Sequence, residues 1–434
     1  MARHTPEAPA VTPAYGILSD DFTGALLVAS YFEEAGLECP VYFDTSAAAA
    51  DTTRAPIVVI AGRTRLIPVA EARDQIGAAL DALDALGCGT VGYKACASFD
   101  STEEGNIGPA AEMLADRYAD PPILISAGFP EFRCTVHQGH LFYRGALVNE
   151  SVKKYDPVTP MPDPNLVRFL SLQTRTPLGL VSHLDMIEGE AAARAALAAR
   201  IDEGHRHVLL DCSDAGDVEM STRLALGRRA IVASDPLIVS LGLALGAGRE
   251  GSAPPPRHAA GPVAVLAGSV GPVAEEQLAA FGAAHPVRYV SLLDELSEAE
   301  RISDALDWAA GHVGTPFAIT TWVDDAGVRA AQARLGQIGA ARAAERILAG
   351  IASGLHDLGI RRFIVAGGET SGAVVSALGV TRVRPFARGP NGGGFCVTED
   401  ADPISFFLKS GKLGAPDVLV RALDEMQPQE PSHP

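Results

Sequence analysis

Short, continuous apolar runs alternate with longer segments of helical periodicity along the chain. Uninterrupted apolar runs of strand length are typical of strands that are buried on both faces. In the first half they predict strands at 15–18, 41–43, 57–60, 91–93, 123–126, 179–181, 208–211 and 231–233, and helices at 25–35, 70–86, 108–118 and 189–202. The alternation predicts an α/β fold with a mostly parallel sheet that is flanked by helices.

This pattern is interrupted at 247–262, where the chain is rich in Gly and Pro, has three consecutive prolines and lacks periodicity. Such a segment is typical of a linker. Beyond it we expect strands at 263–267, 287–290, 317–321, 363–366 and 405–408, and a long Ala-rich helix at 332–358 that its glycines could interrupt. The sequence predicts two α/β domains, at 1–250 and 263–426, with a linker at 251–262 and a flexible tail at 427–434.

Composition and net charge limit the classes of partner that the protein is expected to bind. The chain has 434 residues, with 35 Lys and Arg against 53 Asp and Glu and a net charge of −18. A surface so acidic repels phosphate backbones and anionic lipids, so we expect no nucleic-acid and no membrane partner, whereas a local basic pocket for a small anion and a homo-oligomer both remain open. The absence of an apolar leader, a membrane-length run and paired cysteine motifs predicts a cytoplasmic protein with reduced thiols.

Two adjacent carboxylates follow the first predicted strand. Asp20 and Asp21 lie in the segment 19–25, between that strand and a helix. Ligands of open α/β sheets bind beyond the carboxyl ends of strands, and paired carboxylates can bind sugar hydroxyls, hold Mg²⁺ or accept a proton. The alternative is that Asp21 or Thr23 only caps the helix.

Two further loops follow strands at the same predicted edge. Arg65 follows the strand at 57–60. Its guanidinium could bind a carboxylate through two hydrogen bonds, or it could be part of a basic pair at the surface. The loop at 94–108 is denser in polar groups and includes Lys94, Asp100, Ser101 and Asn106. Three consecutive polar loops at one edge favour a ligand site over simple helix caps.

Two segments, 135–140 and 156–161, are interpreted as loops with groups that could bind a ligand. His137 and His140 have a spacing that could suit a metal, but no third ligand lies nearby in the sequence. A structural or hydrogen-bonding role is therefore favoured, and no metal ligands are assigned.

Glycine-rich turns follow three predicted strands of the second half, at 267–271, 367–372 and 409–414. Glycine lets a phosphate approach the backbone, and a helix N-terminus supplies free N–H groups. We expect Gly368 to adopt a positive φ beside the phosphate, although a tight turn alone is the alternative. The chain contains no Walker A sequence, and no dinucleotide fingerprint opens the first βα unit.

Several motifs together resemble the four-carbon acid sugar kinases, most closely the 3-oxo-tetronate 4-kinase branch. They lie at 19–25, 99–109 (Phe-Asp-Ser-Thr-x-x-Gly-Asn-Ile-Gly-Pro), 157–161, 367–372 and 408–411. The resemblance implies a sugar-acid-binding N-terminal domain, an ATP-binding C-terminal domain and an active site in the cleft between them. It implies transfer of phosphate from ATP to the terminal 4-hydroxyl of a four-carbon sugar acid, with Mg²⁺ on the phosphates.

The resemblance also implies roles for individual residues. Catalytic roles are expected for Asp21 and Asp100, substrate binding for Asp20, Arg65, Lys94, Ser101 and Asn106, and nucleotide binding for Ser269, Gly367, Gly368, Glu369, Thr370 and Gly411. Departures from the family pattern at 133–134, 233–236 and 389–395 leave D-threonate, L-threonate and erythronate as alternative substrates. A noncatalytic sensor of ATP and sugar acids is a further alternative, whereas a lyase or isomerase would leave the glycine turns unexplained.

Overall fold

The structure is a computed structural model, and it describes residues 12–53, 55–156, 158–249, 253–268, 271–321, 324–411 and 414–427. The chain divides into two compact units, Met1–Ala253 and Pro254–Pro434. Across the described ranges, no helix has both the length and the apolar character that a membrane span needs.

The first unit is built on a parallel sheet flanked by helices. The strands of the whole unit are β1 (Tyr15–Ser19), β2 (Val41–Tyr42), β3 (Ile57–Ala61), β4 (Thr90–Lys94), β5 (Ile123–Ser126), β6 (Cys134–His137), β7 (His140–Tyr143), β8 (Ala146–Leu147), β9 (Gly179–Val181), β10 (His207–Leu210) and β11 (Ala230–Ala233). All of them except β6, β7 and β8 belong to the parallel sheet. Its helices are α1 (Phe22–Glu34), α2 (Thr45–Ala50), α3 (Val69–Ala85), α4 (Ile107–Tyr118), α5 (Leu166–Leu170), α6 (His183–Ile187), α7 (Glu190–Asp202), α8 (Ala215–Ala225) and α9 (Asp235–Gly246). The strand order is β2-β3-β1-β4-β11-β5-β10-β9.

The register of the central strands aligns their carboxyl ends. Ser19 of β1 lies opposite both Ala61 of β3 and Lys94 of β4, and Lys94 lies opposite Ala233 of β11. Every residue of β1, β3, β4 and β11 is buried, which explains the continuous apolar runs of the sequence. The loops that follow these four strands therefore start from one edge of the sheet.

The segment at 135–140 differs from the sequence prediction. Instead of a loop, β6, β7 and β8 form a separate antiparallel sheet, in which His137 lies opposite His140. Strand β6 alternates buried and half-buried residues, as a sheet with one covered face requires. The interpretation as a loop was wrong because strands this short carry little periodic signal.

The second unit has a mixed sheet. Its strands are β12 (Val263–Ala267), β13 (Val287–Tyr289), β14 (Phe317–Thr320), β15 (Arg362–Ala366), β16 (Arg382–Pro385), β17 (Phe395–Val397) and β18 (Ser405–Lys409). Its helices are α10 (Pro272–Gly282), α11 (Glu298–Ala310), α12 (Asp325–Leu335), α13 (Gln337–Asp357), α14 (Gly368–Ala377) and α15 (Val418–Glu425). The order is β13-β14-β12-β15-β18-β17-β16, parallel except for β17, which is antiparallel to both neighbours.

The long helix predicted at 332–358 is two helices. Gly336, with a φ of 75°, separates α12 from α13. Gly350 and Gly354 do not interrupt α13 but let it approach α11, since a Cβ at Gly350 would lie 2.5 Å from Cδ1 of Ile302. The glycines of one apparent helix thus have two different roles.

Candidate active site

Asp20 is at the centre of a charged cluster at the carboxyl edge of the first sheet. The carboxylate is 3% exposed and accepts hydrogen bonds from Nε and Nη2 of Arg65 at 2.8 and 2.9 Å. The amide of Cys96 donates to Oδ2 at 3.1 Å. Burial raises the pKa of Asp20, but Arg65, Lys94 and the amide outweigh burial and leave the pKa below its ordinary value. Asp20 is therefore charged, and both of its oxygens are hydrogen-bonded within the protein.

Asp21 has a different environment from its neighbour. Its Oδ1 caps α1 by accepting the amide of Gly24 at 2.8 Å, and Nη2 of Arg65 lies 3.1 Å from the same oxygen. Its side chain is 33% exposed, and Oδ2 accepts no hydrogen bond from the described residues. The capping and functional interpretations of Asp21 are thus compatible, because one oxygen caps the helix and the other is available to a ligand.

Lys94 is the last residue of β4 and is 4% exposed. Its Nζ lies 3.4 Å from Oδ1 of Asp235, the first residue of α9. Burial lowers the pKa of Lys94, but the carboxylates of Asp235, Asp20 and Asp21 outweigh burial and raise it. Sequence reasoning missed Asp235, which appeared only as a departure at 233–236, because nothing in the sequence places β11 beside β4.

Asn106 positions the loop that carries Arg65. It is 2% exposed, and its Nδ2 donates to the backbone carbonyls of Thr64 at 2.6 Å and Ile67 at 2.9 Å. This side chain, which the sequence places in substrate binding, therefore supports the arginine through the backbone.

Gln173 holds the polar loop between β4 and α4. Its Nε2 donates to Oγ of Ser101 at 3.0 Å and to the carbonyl of Thr102 at 2.6 Å, while its Oε1 accepts the amide of Gly108 at 2.9 Å. The hydroxyl proton of Ser101 has no acceptor within the described part of the chain. Ser101 is thus fixed as a buried hydroxyl group in this loop.

Asp100 forms an ion pair that the sequence did not predict. Nζ of Lys153, in the 3₁₀ helix Val152–Tyr155, donates to its two oxygens at 2.8 and 2.7 Å, and Oγ of Ser98 donates to Oδ1 at 2.7 Å. Burial lowers the pKa of Lys153, but Asp100 outweighs burial and raises it. Between Ser98 and Asp100, Phe99 has a φ of 49°, which is uncommon for a bulky residue and is found where the surroundings impose it.

A separate cluster lies beyond β9 and β10. His183, Asp214 and Asp217 offer atoms within 4.8 Å of one another that could hold a metal ion. In this structure the three side chains make hydrogen bonds. Nδ1 of His183 is 2.9 Å from Oδ1 of Asp217, and this hydrogen bond raises the pKa of His183. Asp214 caps α8. His137 and His140 are also hydrogen-bonded through Nδ1, to a serine hydroxyl and a backbone carbonyl.

The second unit aligns three glycine turns at one edge of its sheet. Ala366 of β15 lies opposite Ala267 of β12 and Lys409 of β18, so the turns that follow these strands are neighbours. Gly367 has a φ of 131°, in the region that favours glycine, and the amide and hydroxyl of Ser371 close the turn on its carbonyl at 2.9 and 2.7 Å. Of the predicted nucleotide residues, Gly411 lies in the turn after β18, and Ser269 lies outside the described residues.

The expectation that Gly368 needs a positive φ is wrong. Gly368 is the first residue of α14, and a Cβ added there would meet no atom within 4 Å. The positive φ belongs to Gly367, which ends the turn. The amides of Gly368, Glu369 and Thr370 make no hydrogen bond to a described residue, as expected for a helix N-terminus, where anions are favoured.

An apolar cavity of about 270 Å³ adjoins this edge. Its lining includes Leu292, Leu293, Val328, Ala331, Ala340 and Ala344, with Gly268 on one side. A Cβ at Gly268 would collide with Oγ1 of Thr370, so the cavity and the first turn of α14 are directly adjacent. An apolar cavity beside unpaired amides can hold a ligand with an apolar ring and an anionic tail.

Two family models match the chain and divide it as the fold does. A sugar-binding N-terminal domain matches residues 15–242, and a nucleotide-binding C-terminal domain matches residues 264–419.

Relatives match over almost the full length. A 3-oxo-tetronate kinase of Burkholderia multivorans is 37% identical, over 96% of this chain and 98% of its own, and that of Salmonella typhimurium is 33% identical, over 95% and 99%. A crystal structure of a Salmonella typhimurium LT2 protein, provisionally described as a tRNA synthase, has a TM-score of 0.81 at 31% identity, covering 95% of this chain and 99% of that one. The chain belongs to the family of the 3-oxo-tetronate kinases, the four-carbon acid sugar kinases.

Proposed function

We propose that this protein is an ATP-dependent kinase that phosphorylates the terminal 4-hydroxyl of a four-carbon sugar acid, with 3-oxo-tetronate as the first candidate. One observation carries the proposal. Two sheets of the same chain end in complementary edges, one with carboxylates and cations and the other with glycine turns and unpaired helix amides. The relatives named 3-oxo-tetronate kinase support this choice of substrate and a phosphoryl transfer.

At the first edge, Asp21 is the proposed proton acceptor for the 4-hydroxyl. Its Oδ2 has no hydrogen bond from the described residues, whereas both oxygens of Asp100 are bound to Lys153. Asp100 with Lys153 is then a positioning pair. Arg65 uses Nε and Nη2 for Asp20, so a single hydrogen bond from Nη1 to the substrate carboxylate is proposed instead of a bidentate grip.

At the second edge, the proposal places the base of ATP in the apolar cavity and its phosphates on the first turn of α14. Adenine suits an apolar cavity, and the unpaired amides beside it suit phosphate oxygens. Glu369 is exposed and makes no ion pair within the described part of the chain, so its carboxylate could join the phosphates in holding Mg²⁺. The ion supplies charge neutralisation on the phosphates.

The reaction that these groups would perform is an in-line displacement. A bond forms between the 4-oxygen and the γ-phosphorus, the bond from that phosphorus to ADP breaks, and the hydroxyl proton passes to Asp21. Phosphoryl transfer demands alignment and charge neutralisation more than covalent help, which fits residues that are fixed by internal hydrogen bonds.

A substrate panel tests this proposal. The purified protein is incubated with MgATP and, separately, 3-oxo-tetronate, D-threonate, L-threonate and erythronate, while ADP release and product mass are recorded. The proposal predicts ADP release with one acid and a product heavier by one phosphoryl group. Binding of ATP and acid without any product would contradict it and support the sensor alternative.

A further inference from the structure

Lys409 is a buried lysine that has no acidic partner among the residues that the structure describes. It is the last residue of β18, is 6% exposed, and donates from Nζ to Oε1 of Gln277 at 2.9 Å. The Nε2 of Gln277 donates to the carbonyls of Gly414 and Ala415 at 3.1 and 3.2 Å, which fixes the orientation of the amide. The glutamine thus presents its oxygen to Lys409 and holds the ammonium in place.

In the described part of the chain, no negative charge compensates the ammonium of Lys409. Burial lowers the pKa of Lys409 to about 8, and no charged group contributes to this shift. None of the described residues forms a salt bridge with it. Buried lysines are rare unless they are paired, because the lost hydration of the ammonium must be offset by an opposite charge. A glutamine oxygen offsets only part of this loss, and an anion would offset the rest.

The place of Lys409 indicates what that anion is. Ala366 and Lys409 lie opposite each other in the sheet, and the amide of Gly367 donates to the carbonyl of Lys409 at 3.0 Å. Lys409 therefore borders the glycine turn that leads into α14 and its unpaired amides. Lys409 and the open amides of α14 thus lie at the carboxyl ends of two adjacent strands, at the same edge of the sheet. An uncompensated cation and open helix amides each favour a phosphate.

We propose that Lys409 binds a phosphate group of the bound nucleotide, with Gln277 as the residue that positions its ammonium. This inference rests on the proposed ATP binding and adds a specific charged contact to it. Because the lysine contacts phosphate and not the base, its contribution is specific to the phosphorylated ligands.

Calorimetric titrations of Lys409→Met with ADP, ATP and adenosine test the inference. The methionine keeps the length of the side chain and removes its charge, so we expect at least a tenfold loss of ADP and ATP affinity and unchanged adenosine affinity. Arg421→Met is the matched control, since it removes a cation of the same unit that is 41% exposed and paired with Asp417. The control should bind all three ligands as the wild type does.

Gln277→Glu provides a second test in which Lys409 itself is retained. A carboxylate at 277 would give the lysine an internal partner, and we expect ADP affinity to fall while adenosine affinity stays constant. ADP affinity within twofold of the wild type in folded Lys409→Met, or an equal loss of adenosine and ADP, would overturn the inference. A wild-type protein that binds neither ADP nor ATP would instead contradict the proposed function.

Discussion

Lys94 and Lys409 are two buried lysines in equivalent places with opposite surroundings. Each is the last residue of a buried strand, and their exposures are 4% and 6%. Three carboxylates outweigh burial and raise the pKa of Lys94, whereas burial alone lowers that of Lys409 to about 8. The first unit balances its buried cation with its own acids, whereas the described residues of the second unit supply no acid to Lys409.

This difference in charge compensation indicates a structural role for one buried lysine and a ligand-binding role for the other. A buried charge whose partners belong to the same chain is compensated before any ligand arrives, so it fixes the geometry of the loops around it. A buried charge with only a neutral partner remains costly until an anion binds. We therefore propose that the edge around Lys94 positions the substrate rigidly and that the edge around Lys409 binds the anion.

The largest expected effect concerns turnover at the first edge. Asp21→Asn keeps the helix cap, because asparagine caps as well as aspartate, but it removes the proposed proton acceptor. We expect kcat to fall roughly 10²–10⁴-fold, as is typical for the loss of a general base. Asp100→Asn, measured in the same steady-state assay, should lower kcat less. A larger loss for Asp100→Asn would transfer the acceptor role to Asp100.

The next effect concerns stability and compares the two lysines directly. Lys94→Met leaves Asp235 without its cation and removes one of the two cations near Asp20, and it should cost about 3–5 kcal/mol of unfolding free energy, as broken buried pairs do. Lys409→Met leaves no acid unpaired and should change stability by less than about 1 kcal/mol, or raise it. Calorimetric melting of both variants measures the difference. Equal losses of stability would remove the distinction between the two edges.

A smaller effect separates two neighbouring glycines of the turn. Gly367→Ala forces a φ of 131° on a residue with a Cβ and should cost about 1–3 kcal/mol of stability. Gly368→Ala places a methyl group in open space at the start of α14 and should be neutral or stabilise by about 0.4–1 kcal/mol. Chemical unfolding of the pair checks this, and a greater loss at Gly368 would show that the turn is assigned wrongly.

The smallest expected effect is the uptake of protons when ADP binds. With a pKa near 8, Lys409 is about half protonated at pH 8, and a bound phosphate should raise that pKa. ADP is fully ionised at pH 8 because its last phosphate pKa is near 6, so binding should take up about half a proton through the lysine. Titrations in buffers of different ionisation enthalpy measure this uptake. Lys409→Met should show none, and equal uptake by both proteins would assign the proton elsewhere.

Local patterns predicted much of the fold and only part of the site. Continuous apolar runs located the strands, and the polar loops after them located Asp20 and Arg65 at one edge. Lys153 and Asp235 were missed because their partners are distant in the sequence and meet only through the tertiary fold. The positive φ was assigned to Gly368 and not Gly367, because a sequence of two glycines does not show which of them begins the helix.

Hydrogen–deuterium exchange with each ligand alone tests most directly whether the two edges hold different ligands. ADP should slow exchange in peptides that cover 367–372 and 405–411, and 3-oxo-tetronate should slow it in peptides that cover 15–24 and 94–106. We expect neither ligand to slow exchange directly at the edge that binds the other ligand. Protection of the first edge by ADP, or of the glycine turns by the acid alone, would contradict the account.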